Sequence, residues 1–159
     1  MGVLVLRVLY LGLGNPYELA GDEAHYWEWS CRPALSYYSK GPGVAMAIWT
    51  STNVFGSTEF GVRLPAALSA AISMLALAEL TRRISGSRRA GLFAAALFAL
   101  TPAYSAMAQF MTIDSPYLAC WAVSALLGWI VYERQRDGRT AWPWWIALGL
   151  MMGVTFLFK

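Results

Sequence analysis

The feature that most constrains this chain is an alternation of long apolar runs with short arginine clusters. Residues 58–81, 90–108, 115–132 and 141–158 are almost free of charge. Each comes near the ~20 apolar residues that a helix needs to cross a bilayer. Arg82, Arg83, Arg88 and Arg89 separate the first two runs, and Arg134, Arg136 and Arg139 separate the last two. Only 13% of the residues are charged, against roughly 25% in a soluble domain. The expected fold class is therefore all-α, a polytopic bundle of membrane helices. The net charge of +3 comes from these short loops and does not outline a nucleic-acid surface.

The two arginine loops are separated by two spans, so they fall on one side of the membrane. The positive-inside rule makes that side cytoplasmic. By parity, residues 15–57, the loop holding Asp114, and Lys159 then face the opposite, extracytoplasmic side. Residues 2–14 read as part of a first span interrupted by Arg7. A signal peptide is the competing reading, but no small-x-small cleavage site precedes Asp22. Both chain ends look cut, as in a piece of a longer protein. Asn15-Pro16 and Gly41-Pro42 are breakers. Residues 43–55 are apolar but have the length of an interfacial or re-entrant segment. No internal repeat is evident. Cys31 and Cys120 form no metal-binding pattern with the single histidine, His25, and no disulfide between them is expected.

The polar residues concentrate in Asp22-Glu23-Ala24-His25-Tyr26-Trp27-Glu28-Trp29-Ser30 and in Tyr37-Tyr38-Ser39-Lys40-Gly41-Pro42. Ionisable groups beside a membrane are costly to keep, which points to function. Asp22 and Glu23 are candidate catalytic carboxylates, able to take a proton from an acceptor hydroxyl or amine. The plainer reading makes Asp22 an N-cap and Glu23 a first-turn acid of a short helix ending at Ser30. Lys40 and Lys159 stand where positive charge is unusual and fit a lipid phosphate, with snorkelling as the alternative. Arg63 can pair with Glu59 four residues away, or with Asp22 or Asp114 across the site, or can snorkel. Tyr26, Trp29, Tyr37 and Tyr38 fit sugar faces or an interfacial aromatic belt. Asp114, in Thr112-Ile113-Asp114-Ser115-Pro116, is either a cap or a site residue. Glu79 faces the cytoplasmic end and is expected to be solvated near Arg82 and Arg83. Phosphate-binding glycine loops, nucleophile elbows and HExxH motifs are absent, and no structural metal is expected.

Three motifs in order carry a family resemblance. They are Asp22-Glu23-Ala24-x-Tyr26-x-x-Trp29, then Tyr37-Tyr38-Ser39-Lys40-Gly41-Pro42, then Glu59-Phe60-x-x-Arg63-Leu64-Pro65-x-x-Leu68. The later Asp114-Ser115-Pro116 and Gly153 to Lys159 continue the series. The chain resembles the amino-terminal part of the dolichyl-phosphate-mannose protein mannosyltransferase-like superfamily, which includes aminoarabinose transferases that modify lipid A. The resemblance implies a GT-C type membrane glycosyltransferase that takes a sugar from a polyprenyl-phosphate donor, usually with inversion. Its acceptor would be a glycan, lipid or protein on the outer face of a bacterial inner membrane. It casts Asp22 as the catalytic carboxylate and Glu23 as its motif partner. Lys40 and Lys159 would hold the lipid phosphate, with Arg63 beside them, and Asp114 would shape the site. No cofactor is called for; a divalent cation is compatible with the chemistry but not indicated. Many relatives read Lys-Pro-Pro where this chain has Lys40-Gly41-Pro42, and the usual chain is far longer. The competing class is a non-enzymatic membrane protein, a transporter subunit or lipid-binding scaffold.

Overall fold

A computed structural model describes residues 2–13, 18–38 and 40–159, with the side chain of Val3 left aside. The expected Asn15-Pro16 break and Ser39 lie outside the described residues. The fold is all-α, with no strand among the described residues. The described residues form eight helices in order: α1 (Gly2–Gly12), α2 (Gly21–Ser30), α3 (Gly43–Phe55), α4 (Glu59–Ser85), α5 (Arg88–Leu100), α6 (Pro102–Met107), α7 (Asp114–Arg136) and α8 (Trp142–Phe156).

Helix α4 is the central element and packs against α1, α3, α5 and α7. From Ala66 onward its buried side is made of small residues, namely Ala66, Ala67, Ser69, Ala70, Ser73 and Ala76, with Gly61 in its first turn. Small side chains let helix backbones approach, which is how helices associate where no water drives them together. Gly91 of α5 shows the limit of this approach, since a Cβ there would lie 2.6 Å from the Ala78 carbonyl oxygen. Thr58 caps α4 by accepting from the Gly61 N–H at 3.2 Å, and Gly86 ends it in the left-handed region at φ +66°. Helices α4 and α7 are each long and apolar enough to cross a membrane. Many large apolar side chains, including Leu75, Leu92, Phe93, Trp121 and Leu150, point outward.

The apolar run 90–108 is not one helix. It breaks at Thr101-Pro102 into α5 and α6, with Thr101 extended at φ −70°, ψ 119°. Proline disfavours the α conformation in the residue before it and has no N–H to continue the ladder. Residues 43–55 form the short helix α3, as their length suggested.

The arginine clusters meet at one end of the bundle. Arg83 at the end of α4 bridges to Glu133 near the end of α7 at 2.7 Å, and Glu79 binds both Arg82 and Arg83. Helix α4 starts at Glu59, so its first residue lies about 30–36 Å from this cluster. That far end carries α2, the loop before α3, the start of α7 and the end of α8.

Candidate functional site

The site is assembled around Glu23. Glycine, aspartate and glutamate open α2, and Glu23 at its third position accepts from the Ala20 N–H at 3.0 Å, closing the helix start. Its carboxylate also accepts from Arg63 of α4, from Nη2 at 2.8 Å and Nε at 3.0 Å, and from the Met111 N–H at 2.8 Å. Glu23 and Arg63 are both 0% exposed. One carboxylate thus ties together α2, α4 and the segment leading into α7. Arg63 Nη2 also donates to the Glu18 carbonyl at 2.9 Å, and its guanidinium faces the Phe110 ring at 5.7 Å. The partner of Arg63 is therefore Glu23, and the pairings expected with Glu59, Asp22 or Asp114 are not those found. Neither Glu23 nor Arg63 reaches solvent, where a carboxylate would meet an acceptor or a guanidinium a lipid phosphate.

Asp22 is the neighbour that does face out. It is not the N-cap, which is Ala20; it sits one residue before Glu23 and is exposed. Among the described residues its carboxylate has no hydrogen bond or ion pair. It borders an open cleft of about 490 Å³ with Ala20, Gly21, Phe110 and Thr112, and the fully buried Glu23 lies behind this lining. Asp114 is also exposed; it begins α7 without acting as its cap, and as a first-turn acid it complements the helix dipole. Ser115 beside it donates to the Ala66 carbonyl at 3.1 Å, fixing this turn of α7 against α4.

Tyr26 links the two aspartates. It lies one turn after Asp22, half-buried against the core of Val44, Ile48, Val62, Ala66, Met111 and Ile113. Burial pushes its phenol above the ordinary value, and the negative charges of Asp22 and then Asp114 push it further. Both carboxylates therefore act on one hydroxyl, which stays protonated and able to donate.

The other aromatics divide. Trp29 and Tyr37 stack on each other at 4.6 Å and 6°, and the Tyr37 hydroxyl donates to the Trp29 carbonyl at 2.9 Å. Both rings hold the loop in shape, whereas Tyr38 is fully exposed. Lys40 follows this loop, and its carbonyl accepts from the Tyr37 N–H at 3.1 Å. The next residues lie directly on the end of α8. The Gly43 N–H donates to the Leu157 carbonyl at 2.7 Å, and a Cβ on Gly41 would collide with that same carbonyl. The segments bearing Lys40 and Lys159 are thereby brought together. Lys159 is exposed, with Nζ 5.0 Å from the ring centre of Tyr117, one turn after Asp114.

Sequence reasoning missed the Met111 N–H, Ser115, Tyr117 and the Leu157 carbonyl. The glycines flanking Pro42 were the available signal for a close backbone approach. Cys31 and Cys120 are free thiols.

A membrane-type helical bundle with acidic, aromatic and lysine-bearing segments gathered at one end defines the class. Residues 39–159 match the family model described as dolichyl-phosphate-mannose-protein mannosyltransferase, and the chain belongs to that family. It is similar to a lipid A galacturonosyltransferase of Rhizobium johnstonii, 28% identical over 160 residues, covering all of this chain and 32% of that protein. It is also similar to an undecaprenyl phosphate-alpha-4-amino-4-deoxy-L-arabinose arabinosyl transferase of Pseudomonas fluorescens, 27% identical over 172 residues, covering all of this chain and 31% of that protein. The chain spans about a third of the length of these curated relatives. No solved structure matches it.

Proposed function

We propose that this chain forms part of an enzyme that moves a sugar from a polyprenyl-phosphate donor to an acceptor at the extracytoplasmic face of a bacterial inner membrane. The observation that carries this reading is the convergence of Asp22, Tyr26, Asp114 and the segments of Lys40 and Lys159 at the end of the bundle opposite the arginines. The arginine excess at the other end supports an outward-facing site. The name of the galacturonosyltransferase relative favours a glycolipid acceptor of the lipid A type over a protein, and that of the arabinosyl transferase favours an undecaprenyl-phosphate donor.

In this reading an acceptor hydroxyl or amine attacks the anomeric carbon while the bond from that carbon to the lipid phosphate breaks. Asp22 takes the acceptor proton. The polyprenyl phosphate leaves with the bonding pair, and Lys40 and Lys159 offset its charge. Tyr26, kept protonated, donates to a substrate oxygen, with Asp114 and Tyr38 at the rim. Glu23 and Arg63 act as positioning residues that set α2 against α4 and α7. The chemistry proceeds through proton transfer and phosphate departure and names no cofactor.

The test is transfer of radiolabelled sugar from a series of polyprenyl-phosphate sugars in membranes expressing the complete gene product. Asp22→Asn is expected to lower transfer by about 10²–10⁴-fold, the range for loss of a general base. Equal transfer by both proteins would remove Asp22 from the chemistry. A protein that binds these lipids yet transfers from none would be a scaffold.

A further inference from the structure

We propose that the cleft between α4 and α5 at the arginine end is a binding site for an anionic phospholipid of the surrounding membrane, separate from the sugar-transfer site. The cleft holds about 720 Å³ and is lined along α4 by Leu75, Ala78, Glu79 and Arg82, and along α5 by Arg88 and Leu92. From Leu75 to Arg82 the α4 lining covers about 10 Å of helix. Over that length it changes from hydrocarbon to cation. Leu75 and Leu92 are exposed apolar walls at one end, and the arginines stand at the other. This gradient matches an amphiphile with acyl chains below and a phosphate above.

The charges favour an anionic headgroup. Arg82 is held by Glu79 through two contacts of 2.6 Å, and Arg83 is shared between Glu79 and Glu133. Arg88 is exposed, and among the described residues it has no carboxylate partner. This end of the bundle carries seven arginines against Glu79, Glu133 and Asp137, a surplus of four positive charges. Basic pockets between membrane helices attract anionic headgroups. A soluble anion would use the arginine but leave the leucine walls without purpose, so the lipid is the occupant the cleft fits.

The experiment titrates the detergent-purified protein with phosphatidylglycerol and with phosphatidylcholine of the same acyl chains, counting bound lipid by native mass spectrometry. Phosphatidylglycerol is expected to be retained in preference. Arg88→Gln should weaken it about fivefold, the effect of one arginine near an anionic surface. Arg88→Lys should keep most of the binding, and Arg139→Gln, in the α7–α8 loop and outside the cleft lining, should weaken it clearly less than Arg88→Gln. Equal retention of the two lipids, unchanged binding in Arg88→Gln, or an equal loss in Arg139→Gln would overturn the site. Displacement of phosphatidylglycerol by millimolar inorganic phosphate would make it a soluble-anion site and overturn the lipid assignment. If Arg88→Gln aggregates, Leu92→Ala decides: it must weaken phosphatidylglycerol binding, and unchanged binding overturns the proposal. None of these readouts depends on sugar transfer.

Discussion

Both ends of the bundle are built on glutamate–arginine pairs, yet the pairs do different work. At the arginine end, Glu79, Arg82, Arg83 and Glu133 form a partly solvated web, with side chains 25–46% exposed. At the other end, Glu23 and Arg63 form a pair enclosed on all sides. Solvated pairs contribute little because water screens them and both side chains lose freedom. An enclosed pair costs desolvation, but once made it tolerates no missing partner. Its value here is geometric: it fixes three chain segments so that Asp22 and Asp114 both act on Tyr26. The lesson is that neighbouring carboxylates can have opposite roles, Glu23 locked inside and Asp22 left free.

The sharpest break of that comparison is Asp22→Asn against Glu23→Gln. The first should abolish most sugar transfer while moving stability by less than about 0.5 kcal/mol, as at an ordinary surface position. The second removes the carboxylate that Arg63 was buried with and should destabilise the fold by about 3–5 kcal/mol. Thermal unfolding in detergent, read beside the transfer assay, separates the two. Equal loss of stability in both would show that Asp22 is structural.

Gly41→Ala comes next. Its Cβ would meet the Leu157 carbonyl, so the loop must shift, at about 1–3 kcal/mol, the usual effect of overpacking. The same melting assay should show it, together with weaker binding of a polyprenyl phosphate as Lys40 moves. At the solvated end, Glu133→Gln breaks the bridge to Arg83 and should change stability by less than about 1 kcal/mol, a difference that shrinks as salt is added.

The smallest effect concerns Tyr26. Its folded-state pKa lies above the ordinary ~10, so the fold holds this proton more tightly than the unfolded chain does. The associated stability is complete below pH ~10 and is lost as pH rises through the folded value. Phenolate absorbance, taken as the difference between the protein and Tyr26→Phe, should therefore appear late. Asp22→Asn should bring it earlier, and no movement would mean that Asp22 does not act on this hydroxyl.

Much of the architecture is legible along the chain. The apolar runs place α4 and α7, the length of 43–55 gives a short helix, and Glu79 finds Arg82 and Arg83 because they lie three and four residues away on one helix face. The break at Thr101-Pro102 was also legible, since the residue before a proline resists the helix, but continuous hydrophobicity masked it. The sequence left Arg63 to pair with Glu59, with Asp22 or Asp114, or to snorkel, and its carboxylate partner is instead Glu23, 40 residues away. Spacing along one helix carries no information about which other helix docks there.

The sequence by itself determined the long apolar helices α4 and α7, the gathering of arginines at one end and the motif residues near the other, because hydropathy and charge act locally along the chain. Only the tertiary structure decided which of two adjacent carboxylates is buried. Successive residues of a helix point about 100° apart, so either Asp22 or Glu23 could have turned inward. The docking of α2 on α4, with Arg63 and the Met111 N–H waiting on that side, selected Glu23 and left Asp22 facing the cleft.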